Sequence, residues 1–280
     1  MLALGTDLLY NFIMIYNYHT HTFRCSHASG SERNYIERAI ANGVKKMGFS
    51  DHAPFMHDDG YEAYYRVKVS AVKDYFDTLN ALRDEYKDKI EIFIGFEIEC
   101  YPAYYEKMVK FAIDAGAEYL ILGQHHTDTD RPNDPNGEYF FYPFKQNDNK
   151  TQLTKFINNL ILAVKSGYIS YIAHPDCFNY VGDNNFYNKE YLRLLKACKK
   201  YNVPIEINLL GIRDKRHYPN HNFLKLAGKV GVNAVIGHDA HDEFNAYDET
   251  SVIIAKNLAK EYGINILENF NVKLLNKKDL

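Results

Sequence analysis

Tryptophan is absent from the 280 residues, and cysteine occurs four times with no CxxC pair. Cys25, Cys100, Cys177 and Cys198 are too scattered for a disulfide framework, so the expected compartment is reducing and the expected location cytoplasmic. Long apolar runs are also lacking: nothing approaches the roughly 18 uninterrupted residues of a transmembrane helix. Charge of one sign is not in excess, with 33 Lys and Arg against 36 Asp and Glu and a formal net charge of −3. A sequence pI near 6.5 gives neither nucleic acid nor an anionic membrane a reason to bind, so any anion must be held locally. The first eighteen residues are apolar, but Asp7 and Asn11 interrupt them, and a basic leading region and a small-residue cleavage site are missing. Export is therefore not expected. Met14 stands directly before the first strand, and residues 1–13 are read as an extension of a domain covering 14–280.

What is present is an ordinary globular composition, 46% hydrophobic and 25% charged, and a repeating order of elements. The apolar run from Leu8 to Tyr18 reads as a strand. A helical pattern from Ser31 to Gly43 leads to a strand from Val44, and one from Val69 to Tyr86 leads to the strand 89–97. Helices are expected from Pro102 through Phe111 and over 150–166, 189–201, 222–230 and 249–263. Strands are expected near 119–123, 168–174, 203–208 and 233–237. Residues 127–150, rich in Asp, Asn and Pro with aromatics from Tyr139 to Tyr142, read as a long loop able to act as a lid. Alternation without a composition break predicts a single parallel α/β domain, and a barrel of about seven strands suits it better than an open sheet. In a barrel, all strand carboxyl ends open on one face.

That face is where the chemistry collects. His19 and His21, at i and i+2, leave a strand end on the same side. A lone His-x-His recurs by chance, but His27, His52, Glu97, His126, His174, Asp239 and His241 are also present, most of them just beyond strand-like runs. All are N or O ligands suited to Zn, Mn or Fe. Strand alternation turns His125 away from the face that His126 occupies. His57, His217 and His221 lie in polar segments and are read as exposed or hydrogen-bonding. Glu99 and Glu206 stand near strand ends, where an outer supporting role is open to them.

The pieces His19-Thr-His21, His27, Ser50-Asp51-His52, Gly95-Phe-Glu97, Gly123-Gln-His-His126, Ala173-His174-Pro175 and Gly237-His-Asp239-Ala-His241 resemble the PHP (polymerase and histidinol phosphatase) superfamily. Within it the chain is most similar to histidinol-phosphate phosphatases, through Gly48 to Pro54, Gly95 to Pro102 and Ile205 to Arg213. The resemblance implies a distorted (β/α)7 barrel with three divalent metal ions. One would be held by His19, His21, Glu97 and Asp239, a second by Glu97, His126 and His174, and a third by His27, His52 and His241. It also implies Arg213 as a phosphate contact, acting with Asp239 and His241 in catalysis. Arg24, in the loop of His27, is a further candidate for phosphate. The implied substrate is L-histidinol phosphate, hydrolysed by in-line attack of a metal-bridging hydroxide, and no Cys-x5-Arg loop suggests a phosphocysteine route. A broader phosphoesterase, a protein-tyrosine phosphatase and a non-catalytic metal-binding module remain as alternatives. His238 and Leu209-Leu210 depart from the usual pattern.

Overall fold

The computed structural model describes residues 14–127, 129–131 and 145–275. Two expectations, the extension 1–13 and the aromatic run 139–142 of the lid, lie outside the described residues. Strands β1 (Tyr16–Asn17), β2 (Lys46–His52), β3 (Glu91–Ile98) and β4 (Tyr119–Leu122) pair in parallel in chain order, and β5 (Ile205–Asn208) pairs in parallel with β6 (Ala234–Gly237). Single parallel bridges from Ile172 to Leu122 and to Ile205 join the two groups. A third bridge, Thr20 to Ala240, ties the chain beyond β1 to the chain beyond β6. The result is a curled parallel sheet whose carboxyl ends share one rim.

The expected strand at 168–174 is reduced to that bridge. Its backbone still bonds both neighbours, Ala173 N–H to Leu122 and Glu206 N–H to the carbonyl of Ile172. The chain then leaves the ladder at His174, where φ is +30°. Likewise the Leu8–Tyr18 run contributes only Tyr16–Asn17 to the sheet among the described residues.

The helices form where amphipathic patterns meet local stop and start signals. α1 (Glu32–Ala41) begins at Ser31, whose hydroxyl accepts from Asn34 N–H. α2 (Val72–Tyr86) buries Tyr75, Phe76, Leu79 and Leu82 and, with α3 (Tyr105–Ala115), packs on β3. α4 (Lys150–Ser166) packs on α5 (Asn184–Tyr201), which starts five residues before the sequence pattern suggests because Asp183 caps it. A short α6 (Leu209–Arg213), then α7 (His221–Val230) and α8 (Glu249–Tyr262), complete the order. None of the described helices is long and apolar enough to cross a membrane.

Candidate metal centre

Parallel register brings the first ligands together. His52 and Glu97 are directly paired at the ends of β2 and β3, and His19 and His21, just past β1, place their rings 5.2 Å apart. His174 and Asp239 arrive by turns with φ of +30° and +49°. A left-handed backbone is uncommon outside glycine and costs on the order of 1–3 kcal/mol. Its presence at two ligand candidates marks a conformation that the surroundings impose.

Glu97 is the centre of the group. Its Oε1 lies 3.0 Å from His174 Nε2 and 3.6 Å from His19 Nε2, and its Oε2 lies 2.9 Å from His52 Nδ1 and 3.7 Å from His21 Nε2. Asp239 Oδ1 stands 3.5 Å from His19 Nε2 and 3.3 Å from His21 Nε2. His27 and His241 approach through their Nε2 atoms at 3.0 Å. Ligand atoms therefore fall into overlapping sets, each within 4.8 Å: His19–His21–Asp239, His19–Glu97–His174, His21–His52–Glu97 and His27–His52–His241. His19 Nε2 and His21 Nε2 are buried without a hydrogen-bond partner, although carboxylates surround them. At His19 and His21, ring nitrogens and carboxylate oxygens converge at 3.3–3.7 Å without bonding directly, an arrangement that fits a divalent cation, and the N/O donor set suits Zn, Mn or Fe.

Outer partners fix these rings. Glu206 Oε1 accepts from His19 Nδ1 at 2.8 Å, which leaves the Nε2 lone pair facing Glu97 and Asp239. Its Oε2 accepts the His174 amide and Asn208 Nδ2, and the same Asn208 nitrogen reaches Asp239 Oδ2 at 3.0 Å. Asp51 stands behind His21 at 3.4 Å and is itself held by Thr22. Two glycines make room for the central carboxylates: a Cβ on Gly123 would collide with Glu97 Oε1, and one on Gly237 with Glu206 Oε1. Burial opposes ionisation of Glu97, yet His52, His125 and His174 hold its carboxyl well below the usual range. Burial also opposes charge on His21, but Asp239 and Asp51 keep its imidazolium well above the ordinary value.

Of the sequence candidates, His19, His21, His27, His52, Glu97, His174, Asp239 and His241 meet here, and three others differ. His125, not His126, turns into the cluster: its Nε2 is 4.0 Å from Glu97 Oε1 and its ring 4.9 Å from that of His174. His126 instead directs Nδ1 towards Tyr65 and Glu99. Alternation fails because β4 ends at Leu122, and the amides of His125 and His126 both wrap around Glu99 Oε2, at 3.0 and 2.9 Å. Arg24 does not reach the site. Its guanidinium is committed to Glu32, to Asp74 at 2.6 and 2.9 Å and to Thr78, clamping the His27 loop to α1 and α2. Arg213 sits behind the Asp239 turn, where Nη2 donates to the carbonyl of His238 at 2.9 Å and Nη1 is buried with no hydrogen-bond partner. The arginine lining the cavity is Arg216, held by Asp214 at 2.8 Å and by the Tyr218 hydroxyl.

Asp51 and Glu99 stand out in the sequence only by position, directly beside His52 and two residues from Glu97, whereas Glu206 and Asn208 have only their place at the end of β5. His57 is buried against Asp130 at 2.7 Å, His217 bonds the Cys177 carbonyl, and His221 meets Tyr262. The cluster forms the floor of a cavity of about 320 Å³ whose wall includes Leu210, Asp214, Arg216, Asp242 and Asn245.

Comparison with known proteins finds relatives that cover most of the chain. A histidinol-phosphatase of Lactococcus lactis is 24% identical over 270 residues, covering 93% of this chain and 96% of its own. A probable histidinol-phosphatase of Deinococcus radiodurans is 24% identical over 229 residues, covering 80% and 85%. A crystal structure of the Lactococcus lactis histidinol phosphate phosphatase, complexed with zinc, L-histidinol and phosphate, superposes with a TM-score of 0.67 at 20% identity over 91% of this chain and 95% of that one. A putative histidinol phosphatase from Listeria monocytogenes gives 0.63 at 17% identity, covering 82% and 96%. The family model described as the PHP domain matches residues 17–209, the span that carries His19 to Glu206, and on that match the chain belongs to the PHP domain family.

Proposed function

We propose that the chain is a metal-dependent phosphomonoesterase that hydrolyses L-histidinol phosphate to L-histidinol and phosphate, in histidine biosynthesis. Its domain is residues 14–280, a distorted (β/α)7 barrel in which the bridged segment at Ile172 counts as the seventh strand. The observation that carries the reading is Glu97, whose two oxygens face different histidines and so can belong to two ions at once. His19, His21, Glu97 and Asp239 would hold one ion, Glu97, His125 and His174 a second, and His27, His52 and His241 a third. When bound, divalent ions acidify a water and neutralise the phosphoryl oxygens.

The chain's own groups do the rest. Glu206 keeps the His19 tautomer that offers Nε2, and Asn208 orients Asp239. Arg213 is proposed as a phosphate contact through its unpartnered Nη1, with its other nitrogen fixing the Asp239 turn from behind. A cavity of a few hundred cubic ångströms suits a small phosphomonoester. The phosphatase relatives from Lactococcus and Deinococcus cover most of this chain, which supports the substrate class. The test is phosphate release after reconstitution with Zn, Mn or Fe, comparing L-histidinol phosphate with other phosphomonoesters and with phosphotyrosine. Selective turnover of L-histidinol phosphate is expected; equal rates across the panel would leave only a general phosphoesterase.

A further inference from the structure

The chain leaves β2 immediately after His52, makes an excursion through residues 53–66 and returns to its starting point. Ala53 N–H donates to the carbonyl of Glu97 at 2.8 Å, and Val67 N–H to the carbonyl of His52 at 3.2 Å. At the neck of this loop lies Arg66, 1% exposed. Its Nη1 donates to the Ala53 carbonyl at 3.0 Å, its Nε to Asp130 Oδ2 at 2.5 Å, and its Nη2 to Glu99 Oε1 at 2.6 Å and to the Tyr101 hydroxyl at 3.1 Å. Asp130 passes the connection back to the loop through His57 at 2.7 Å.

A buried ion pair of this kind need not do more than avoid an unpaired charge. What separates Arg66 from that role is where its acceptors sit. Ala53 follows His52, Glu99 is two residues beyond Glu97, and the second oxygen of Glu99 receives the amide of His125. One planar guanidinium thus spans the carboxyl ends of β2 and β3 and the turn after β4, the three places that deliver His52, Glu97 and His125. Lysine carries the same charge, but its three donors sit on one nitrogen and cannot reach acceptors spread around a planar fork of three nitrogens.

We propose that Arg66 is a positioning residue of the metal centre: its fork sets the spacing of His52, Glu97 and His125, and the affinity for the ion on the His125 side depends on it. This rests on the reading that the cluster holds divalent ions. The test is zinc competition against a chromophoric chelator on the full chain, with melting temperatures of the zinc-loaded and zinc-free forms, for wild type, Arg66→Lys and the remote core variant Phe76→Leu. Arg66→Lys is expected to weaken at least one zinc by about 10–100-fold, the range for outer partners of metal ligands. Its zinc-induced rise in melting temperature should shrink accordingly. Phe76→Leu should lower both melting temperatures and leave zinc affinity unchanged. If Arg66→Lys behaves like Phe76→Leu, with zinc affinity within threefold of wild type, Arg66 only stabilises the fold and the proposal is overturned. A wild-type chain that binds no zinc overturns the metal reading and the clasp with it. Should Arg66→Lys not fold, Glu99→Asp, which draws the carboxylate back from the His125 amide, carries the same expectation and the same overturning result.

Discussion

The candidate metal centre has an inner and an outer half, both built largely from imidazoles but held differently. In the inner half, His19, His21 and His174 are buried: Glu97 faces all three, Asp239 faces His19 and His21, and behind those two stand Glu206 and Asp51. In the outer half, His27 is exposed and His241 half-buried, and the groups behind them are carbonyls: Cys25 for His27 at 2.8 Å, Asp239 for His241 at 3.2 Å. Burial opposes a charged imidazole in both halves. Carboxylates overcome it at His19 and His21, whose pKa values are raised, whereas at His52 burial and the neighbouring His21 push the value down to about 3 and at His241 well below normal. The inner half is a place already prepared for positive charge. The outer half offers neutral imidazoles without a carboxylate behind them, so an ion bound there is expected to be the weaker one and the first to leave.

Glu97 belongs to both halves, and removing its charge should give the largest effect. Glu97→Gln is expected to lose more than one ion per chain by elemental analysis and at least about a thousandfold in kcat/KM, beyond the 10–100-fold typical of outer partners. A variant with normal metal content and rate would dissolve the comparison, because nothing would then join the halves. Arg213→Ala comes next. If Nη1 meets the phosphoryl group, kcat/KM should fall by roughly two orders of magnitude with metal content and melting temperature near wild type. Arg213→Lys should recover only part of that, since the planar fork is lost. A loss of metal in Arg213→Ala would assign the residue to the Asp239 turn alone.

A paired measurement separates the halves directly. Glu206→Gln should weaken inner zinc by about 10–100-fold and leave the outer ion in place. His27→Ala should remove one ion and leave the remaining zinc with wild-type resistance to chelation. If the two variants lose the same ion, the division into halves fails.

The convergence of most of these candidate ligands was legible in the sequence because they lie at or just past strand ends, and strands announce themselves by apolar runs. The sequence alone places His19, His21, His52, Glu97, His174, Asp239 and His241 on one rim. His125 could not, because its direction is set by Glu99, a carboxylate 26 residues earlier that bends the chain after β4 out of strand geometry. Arg24 was misplaced for a related reason: its partners Glu32 and Asp74 lie on helices whose faces follow from packing rather than from the loop's own sequence. The roles of Glu206 and Asn208 were hidden because outer partners have no motif of their own. The sheet was legible in order but not in length, since the short ladder at Ile172 depends on the turn at His174.

The smallest expected effect is a count of protons. A histidine that binds a metal must do so as neutral imidazole, so an ion entering a site displaces whatever proton the ring holds. In the metal-free chain burial opposes charge on both rings, but Asp239 and Asp51 shift His21 towards holding its proton, whereas burial and the neighbouring His21 push His52 down to about 3. The sign follows. The raised value at His21 contributes stability to the metal-free chain that is fully present below the unfolded pKa and is lost as pH rises through the folded one. Zinc binding to the inner half works against that same proton and should therefore weaken as pH falls from 8 towards 6, while binding to the outer half stays level over this range. Zinc titration calorimetry in two buffers of different ionisation heat gives the number released at each step. Wild type should release protons in the tighter step and close to none in the weaker one. His27→Ala should abolish the weaker step and leave the proton count of the tighter one unchanged. Proton release confined to the weaker step would reverse the assignment, making the carbonyl-backed histidines the charged ones.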